Sequence, residues 1–287
     1  MRLFLQYASS GIATGCAFAL VATGFVAIYR VTRVVNFAQG VFAVIAGMFA
    51  SSLLARGTPH VLAEALAVVL AAATGLAVGL VAIGRPGTAP LASLIITLGL
   101  AIGSYALLIL VWGDQPVSFD GLRGSLEVGG VTMQAQYGLV VTVTAISFAL
   151  LALFFNHTYF GRGLTACSSN PRAARLVGID VSRMGLFAFS LGGALGGLAG
   201  VLVTPLQPVS FDSDVGLAIN GFAAAIFGGL LRPGTALVGA LVLGVAEALV
   251  AGYSKASLQS GVALVVMLGI MVWQAQRQPL TTEEGGA

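Results

Sequence analysis

Charged residues are scarce in this chain. Only 8% of its 287 residues are Asp, Glu, Lys or Arg, and Lys255 is its single lysine, whereas about a quarter of the residues in ordinary globular domains are charged. Hydrophobic residues make up 58% of the sequence. This composition excludes the soluble classes and predicts a polytopic membrane protein in contact with lipid. We expect residues 1–287 to form a single transmembrane domain with no nucleic-acid partner.

Groups for catalysis and metal binding are also few. Cys16 and Cys167 fall at different depths and cannot form a disulfide framework. His60 and His157 lie at the ends of apolar runs without a partner at ligand spacing, so we expect no metal site. The sequence contains no H-E-x-x-H, G-x-S-x-G or Walker A motif. We therefore expect neither an enzyme nor a cofactor in this chain. If the chain takes part in transport driven by ATP, another polypeptide must hydrolyse the ATP.

Long apolar runs occupy most of the sequence. A spanning helix needs about 20 predominantly apolar residues, and eight runs approach that length. A ninth run, 217–231, is shorter and rich in glycine, which is compatible with a full span, a broken helix or a re-entrant segment. The sequence thus predicts an all-α membrane helix bundle with eight or nine spans. The eight runs are 5–28, 34–55, 61–83, 88–112, 137–156, 185–205, 235–252 and 257–274.

A basic loop at 157–184 interrupts the apolar sequence. Because short loops rich in arginine and lysine stay in the cytoplasm, this loop is predicted to be cytoplasmic and to contact a soluble partner. The N-terminus and the loops 113–136 and 206–216 are then outside, and the C-terminus is inside. The basic residues assigned to the inside are Arg30, Arg33, Arg85, Arg162, Arg172, Arg175, Arg183, Arg232 and Arg277, and those assigned to the outside are Arg2, Arg56, Arg123 and Lys255.

The hexapeptide QPVSFD occurs twice, at 115–120 and at 207–212. At average residue usage, such an identity arises by chance on the order of once in several hundred chains of this length. Both copies are outside in the predicted topology. Two interpretations remain open: a Pro-Asp turn is a convenient exit from a membrane helix, or the two copies share a docking role.

Polar groups inside the apolar runs are the candidates for function. Glu247 interrupts the run 235–252, and an intramembrane carboxylate is by default a functional candidate that lines a wet cavity or pairs with a cation. A structural pairing or a protonated, hydrogen-bonded acid is equally compatible with the sequence. Four uncharged polar residues lie within spans or at their ends. Their role is either to bind a zwitterion or to form hydrogen bonds between helices. They are Asn36, Gln39, Thr97 and Asn220.

Glycine is abundant, with 39 residues. Gly192, Gly196 and Gly200 recur at intervals of four, so one face of that span is nearly bare backbone. Such a face lets another helix approach closely, and we favour plain helix packing over a functional role for it.

Short motifs follow one another along the chain in an order typical of one family. They are Asn36-Phe37-Ala38-Gln39-Gly40, Thr97-Leu98-Gly99, Gly161-Arg162 through Ala173 to Gly178-Ile179, Phe222-Ala223-Ala224 with Gly228-Gly229, Pro233-Gly234-Thr235-Ala236, and Gly244-Val245-Ala246-Glu247. In this order the chain resembles the LivH-type permeases of branched-chain amino acid ABC importers. The resemblance extends over residues 10–275, and the order of the motifs is more specific than any one of them.

The resemblance implies a subunit of the prokaryotic plasma membrane that pairs with a LivM-like second permease, two cytoplasmic ATPases and an extracytoplasmic solute-binding protein. The basic loop is then the segment that couples to an ATPase. Within it, the expected coupling residues are Arg162, Arg172, Arg175 and Gly178. The repeated loops are expected to receive the binding protein through Asp120, Asp212 and Asp214.

Two positions depart from the family pattern. Gln39 stands where such permeases usually have histidine, and Asn220 stands where they commonly have lysine. The second change removes an intramembrane cation, which leaves open whether the substrate is a branched-chain amino acid or a urea, an amide or a small carboxylate. A proton-coupled secondary transporter that uses Glu247, and a passive channel, are further alternatives. Secondary carriers generally contain more intramembrane ionisable groups, so the importer interpretation is favoured.

Overall fold

The structure is a computed structural model that describes residues 2–84, 89–128, 131–254 and 259–277. Arg85 and Lys255, which were used to predict the orientation, lie outside these residues. The described residues form eleven helices and two short strands. In chain order these are α1 (Arg2–Thr32), α2 (Gln39–Ala55), α3 (His60–Ile83), α4 (Pro90–Trp112), β1 (Ser125–Val128), β2 (Val131–Gln134), α5 (Ala135–His157), α6 (Tyr159–Ser169), α7 (Pro171–Leu176), α8 (Val181–Val203), α9 (Ser213–Phe227), α10 (Pro233–Tyr253) and α11 (Gln259–Arg277).

The predicted helical class is correct at the level of the bundle, but the predicted count of eight or nine spans is not confirmed. Six helices within the described residues are long and apolar enough to cross a membrane, namely α1, α3, α4, α5, α8 and α10. Two apolar helices are shorter: α2 has 17 residues and α9 has 15. The sequence also failed to predict β1 and β2, which pair antiparallel just before α5.

The second predicted span begins later than its apolar run because the segment between α1 and α2 is not helical. Arg33 has a φ of 58°, outside the helical region, and the Asn36 side chain accepts a hydrogen bond from the amide of Ala38 at 3.1 Å. Gln39 then starts α2 and donates from Nε2 to the carbonyl of Gly192 at 2.9 Å. Since Gly192 is central in α8, α2 begins in the interior of the bundle, not at its surface.

The glycine-rich face of α8 packs against other helices, as the sequence favoured. A Cβ atom added to Gly200 would lie 1.9 Å from the carbonyl oxygen of Ala43 in α2, and one on Gly193 would lie 2.4 Å from that of Ala71 in α3. Such distances exclude any side chain at these positions. Close backbone approach of this kind is the usual basis of helix packing in membranes, and it places α8 at the centre of the bundle.

The basic loop contains two helices, α6 and α7. Asn170 caps α7 by accepting from the amides of Arg172 and Ala173 at 3.0 and 3.1 Å. Asp180 caps α8 in the same way, and such caps stabilise a helix start by about 1 kcal/mol. Arg33 at the end of α1 donates to the carbonyl of Ser168 in α6 at 3.1 Å. The end of α1 and the basic loop therefore share one side of the bundle, as the predicted orientation requires.

Candidate functional site

Glu247 in α10 and Asn220 in α9 were both singled out from the sequence, and the structure brings them together. Glu247 is 1% exposed. Asn220 donates from Nδ2 to Oε2 of Glu247 at 3.4 Å. The acid therefore has a partner on another helix, which was one of the possibilities that the sequence left open.

Two cavities meet at Glu247. The first has a volume of about 410 Å³ and the second about 370 Å³, and Thr14, Gln207 and Glu247 line both. Asp212 and Asn220 add polar groups to the first cavity. Neither cavity is lined by an arginine or a lysine among the residues that the structure describes. This arrangement offers hydrogen-bond acceptors and negative charge to a small molecule, so it suits an ammonium or amide N–H group.

The apolar walls of the first cavity come from α1 and α9. Phe18 and Leu217 line it and are almost fully buried. Tyr7 and Tyr137 line the second cavity. A site with apolar walls and a few polar groups is the usual composition of a small-molecule pocket.

The other three predicted path residues lie elsewhere, around the break that precedes α2. Asn36, Gln39 and Thr97 are each 0% exposed. The hydroxyl of Thr97 accepts from the amide of Phe37 at 3.2 Å, which ties α4 to the break between α1 and α2. None of the three lines the cavities around Glu247. Their observed contacts hold the first residues of α2 inside the bundle.

The two QPVSFD copies contact each other directly. Val117 and Val209, which occupy the same position in the hexapeptide, form an antiparallel bridge with N···O distances of 2.9 Å in both directions. The two loops therefore lie side by side, as the predicted topology requires. The sequence identity of the repeat did not by itself indicate this pairing.

Of the three acidic residues predicted for docking, two are at the surface. Asp120 and Asp212 are exposed, and Arg123 forms an ion pair with Asp120 that holds the pKa of this carboxyl below its usual range. The placement of Asp214 differs from the prediction, because it is only 3% exposed. It belongs to the first turn of α9, where a Cβ atom on Gly40 would lie 2.1 Å from its carbonyl oxygen. The buried start of α9 thus removes Asp214 from the surface.

A cysteine at Ser118 tests which side of the membrane the repeated loops face. Ser118 is exposed, whereas the native Cys16 and Cys167 are buried. We expect Ser118→Cys to react with an impermeant maleimide added to whole cells whose outer membrane, if present, is permeabilised. Ser169→Cys, which is exposed on the basic loop, is the matched control and should react only after lysis. Labelling of Ser169→Cys in whole cells and of Ser118→Cys only after lysis would show that the topology is the reverse of the predicted one.

The basic loop separates its arginines into different environments. Arg172 and Arg175 are exposed on α7, and they are followed by Leu176 and Val177, which are 88% and 75% exposed. Gly178 then adopts a φ of 86°, a conformation that favours glycine. Exposed apolar residues next to basic ones are typical of a protein contact. The sequence identified the arginines but missed the apolar tip.

Arg162 does not belong to this surface. Its guanidinium donates to the carbonyl of His157 at 3.4 Å and lies over the ring of Tyr159 at 5.7 Å. With Arg183 it borders a separate cavity between α3, α6 and α8. The four predicted coupling residues therefore divide into a group around α7 and one residue beside the membrane helices.

Comparison with known proteins agrees with this architecture. A family described as "Branched-chain amino acid transport system / permease component" matches residues 7–271. The chain is 28% identical to the high-affinity branched-chain amino acid transport system permease protein LivH of Salmonella typhimurium, covering 94% of this chain and 93% of that one. It is 29% identical to the probable permease LivH of Methanocaldococcus jannaschii, covering 88% and 85%.

A solved structure has the same overall fold. The structure of PsaBC from Streptococcus pneumoniae in complex with Fab matches with a TM-score of 0.51 at 13% identity, covering 93% of this chain and 91% of that chain. The bundle and its buried polar site thus define a multi-pass transport protein of the plasma membrane. The chain belongs to the family of branched-chain amino acid transport system permease components, and it is the membrane-spanning permease subunit of an ABC importer.

Proposed function

We propose that this permease conducts a branched-chain or related small neutral amino acid along a path through the two cavities at Glu247. The observation that carries the proposal is the pair formed by Glu247 and Asn220 at the junction of those cavities. The names of the permeases from Salmonella and Methanocaldococcus support the substrate class.

Each part of the site matches one part of such a substrate. The Glu247 carboxylate attracts the ammonium group, and Asn220 offers a carbonyl oxygen that has no hydrogen-bond partner among the described residues. Phe18 and Leu217 accept the apolar side chain. The substrate carboxylate finds no cation among the described lining residues, so its counter-charge comes from a second subunit.

This last point supports the proposed partners. A carboxylate-lined cavity is costly beside hydrocarbon, so a LivM-like second permease covers it and completes the path. Two cytoplasmic ATPases hydrolyse the ATP, and an extracytoplasmic solute-binding protein delivers the substrate to the paired QPVSFD loops through Asp120 and Asp212. Asn36, Gln39 and Thr97 act on the path indirectly, by holding the start of α2 in place.

The proposed substrate class is tested by competition in uptake assays with the assembled importer and its binding protein. Unlabelled leucine, isoleucine and valine should each displace labelled leucine. The matched competitors are 4-methylpentanoate, which lacks the ammonium group, and urea. If either of these competitors displaced labelled leucine as effectively as unlabelled leucine does, the amino-acid assignment would be overturned in favour of a small carboxylate or a urea.

Reversing two charges on α7 tests the proposed coupling surface. Arg172 and Arg175 are three residues apart and face the same side of a helix. We expect the double variant Arg172→Glu/Arg175→Glu to lose most uptake while its expression stays normal, because like charges across a contact cost several kcal/mol. ATP hydrolysis should continue uncoupled from uptake.

Arg56→Glu is the matched control for this double variant. Arg56 is exposed at the other end of the bundle, after α2, and its reversal should leave uptake unchanged. Normal uptake by the α7 double variant would refute the coupling role of this surface.

A further inference from the structure

The largest cavity described above is not near Glu247. It has a volume of about 880 Å³ and lies between α3, α6 and α8, within the range of about 300–1,000 Å³ that ligand pockets occupy. Its walls are mainly apolar. They are contributed by Leu76 of α3, Phe160 and Ala166 of α6, and Met184, Leu186 and Phe187 of α8.

This cavity extends from the membrane surface into the hydrocarbon region. Leu76 precedes the end of α3 by seven residues, and Ser190 follows the start of α8 by nine. At a rise of 1.5 Å per residue, these positions are about 10 Å and about 13 Å below the helix ends. Leu76 is 39% exposed on a helix long enough to span the bilayer. The deep part of the cavity therefore lies at the depth of the hydrocarbon region, beside a helix face that is exposed where lipid would be.

Two arginines border the cavity at its surface end. Arg162 is exposed on α6, and Arg183 is exposed in the first turn of α8. Arg183 forms an ion pair with Asp180 at 3.0 Å, but the Arg183 side chain is 83% exposed and such a pair contributes little. Arg162 donates one N–H to the His157 carbonyl at 3.4 Å, so each guanidinium keeps N–H donors for an anion, and Asp180 lines the same end of the cavity. An apolar slot with cations at its surface end matches an acyl chain joined to an anionic headgroup.

We propose that this cavity binds an anionic phospholipid, with the phosphate between Arg162 and Arg183 and one acyl chain along Phe187 and Leu76. A segment of the ATPase fits it less well, because a soluble partner would have to enter the bilayer to reach Leu76. Inorganic phosphate could use the arginines but would leave the apolar walls unfilled. The site is separate from the proposed substrate path, and it adjoins the coupling surface at Gly178 but is not lined by Arg172 or Arg175.

Native mass spectrometry tests this site on the complex purified through a tag on this chain and titrated with phosphatidylglycerol. We expect Arg162→Gln/Arg183→Gln to weaken phosphatidylglycerol binding about thirtyfold, since each of the two basic residues near the surface contributes about 1 kcal/mol to binding of anionic lipid. The cap of α8 survives this change, because the backbone amide of Arg183 makes it. Arg172→Gln/Arg175→Gln removes the same charge from α7 and should leave the affinity unchanged.

A second variant tests the apolar part independently of charge. Ala166→Phe adds a ring inside the cavity and should reduce binding of both phosphatidylglycerol and phosphatidylcholine, while the arginines remain. Millimolar inorganic phosphate should not displace the lipid. Equal affinity in the Arg162/Arg183 variant and the wild type would overturn the proposal. Displacement of the lipid by phosphate would also overturn it. So would loss of the ATPase subunit from the Arg162/Arg183 variant with lipid binding intact, because that result would assign the two arginines to the contact with the ATPase.

Discussion

Glu247→Gln is expected to lower uptake by about tenfold or more while leaving the subunit folded and assembled. Glutamine preserves the shape of the side chain and an oxygen that accepts from Asn220 Nδ2, but it removes the negative charge from the junction of the two cavities. Hydrogen bonds to charged groups contribute about 1.5–3 kcal/mol, and 1.4 kcal/mol corresponds to a factor of ten. Initial uptake rates at matched expression measure this effect.

Two further substitutions separate charge from structure at this site. Glu247→Leu should also reduce the folded yield, because it leaves the half-buried amide of Asn220 without its acceptor at a cost of about 1–3 kcal/mol. Glu127→Gln makes the same chemical change at an exposed position in β1 and should be silent. Full uptake by Glu247→Gln would mean that the carboxylate has no part in the path.

Gly200→Ala is expected to destabilise the protein strongly, by about 3 kcal/mol, the upper end of the range for overpacked sites. Its Cβ atom would lie 1.9 Å from the Ala43 carbonyl oxygen and 2.5 Å from the carbonyl carbon. Both atoms belong to the backbone of α2 and cannot rotate away, so α2 and α8 must separate. The thermal unfolding midpoint of the purified protein in detergent should fall accordingly.

Gly99→Ala is the matched control for this prediction. Gly99 lies in the spanning helix α4, and a Cβ atom there meets no atom within 4 Å. This substitution should leave the unfolding midpoint unchanged or raise it slightly, because alanine is the better helix former by about 1 kcal/mol. Equal midpoints for the two alanine variants would refute the packing role of Gly200.

The sequence predicted the uninterrupted helices well, because each of them coincides with an apolar run of spanning length. The run predicted at 61–83 corresponds to His60–Ile83, and the run at 137–156 corresponds to Ala135–His157. Hydrophobic length alone decides such helices in a membrane, since every backbone group must be satisfied within the segment.

The start of α2 shows why length alone was insufficient elsewhere. Val34, Val35, Phe37 and Ala38 continue the apolar run, so hydropathy places the start of the second span at residue 34, before the observed start of α2 at Gln39. The break depends on tertiary contacts, namely the bond from Gln39 to Gly192 and the bond from Phe37 to Thr97. The two strands were missed for another reason, because Gly129-Gly130 between short alternating segments is a hairpin signal that the search for spans passed over.

The candidate site was predictable in part. Glu247 is conspicuous as an acid in an apolar run, and Asn220 as an amide near a glycine-rich one, but nothing in the sequence indicated that they touch. That contact depends on the antiparallel packing of α9 and α10. The burial of Asp214 was equally hidden, since the sequence placed this residue in the outside loop 206–216.

Transport by the purified complex in proteoliposomes tests the central claim most directly. ATP is supplied on the side of the membrane that carries the ATPases, and the binding protein and labelled leucine are supplied on the other side. No pH gradient is imposed. The importer assignment with a path at Glu247 predicts uptake that depends on ATP and that falls about tenfold or more in Glu247→Gln. Uptake that needs a pH gradient and does not occur with ATP alone, although the ATPases are active, would contradict it.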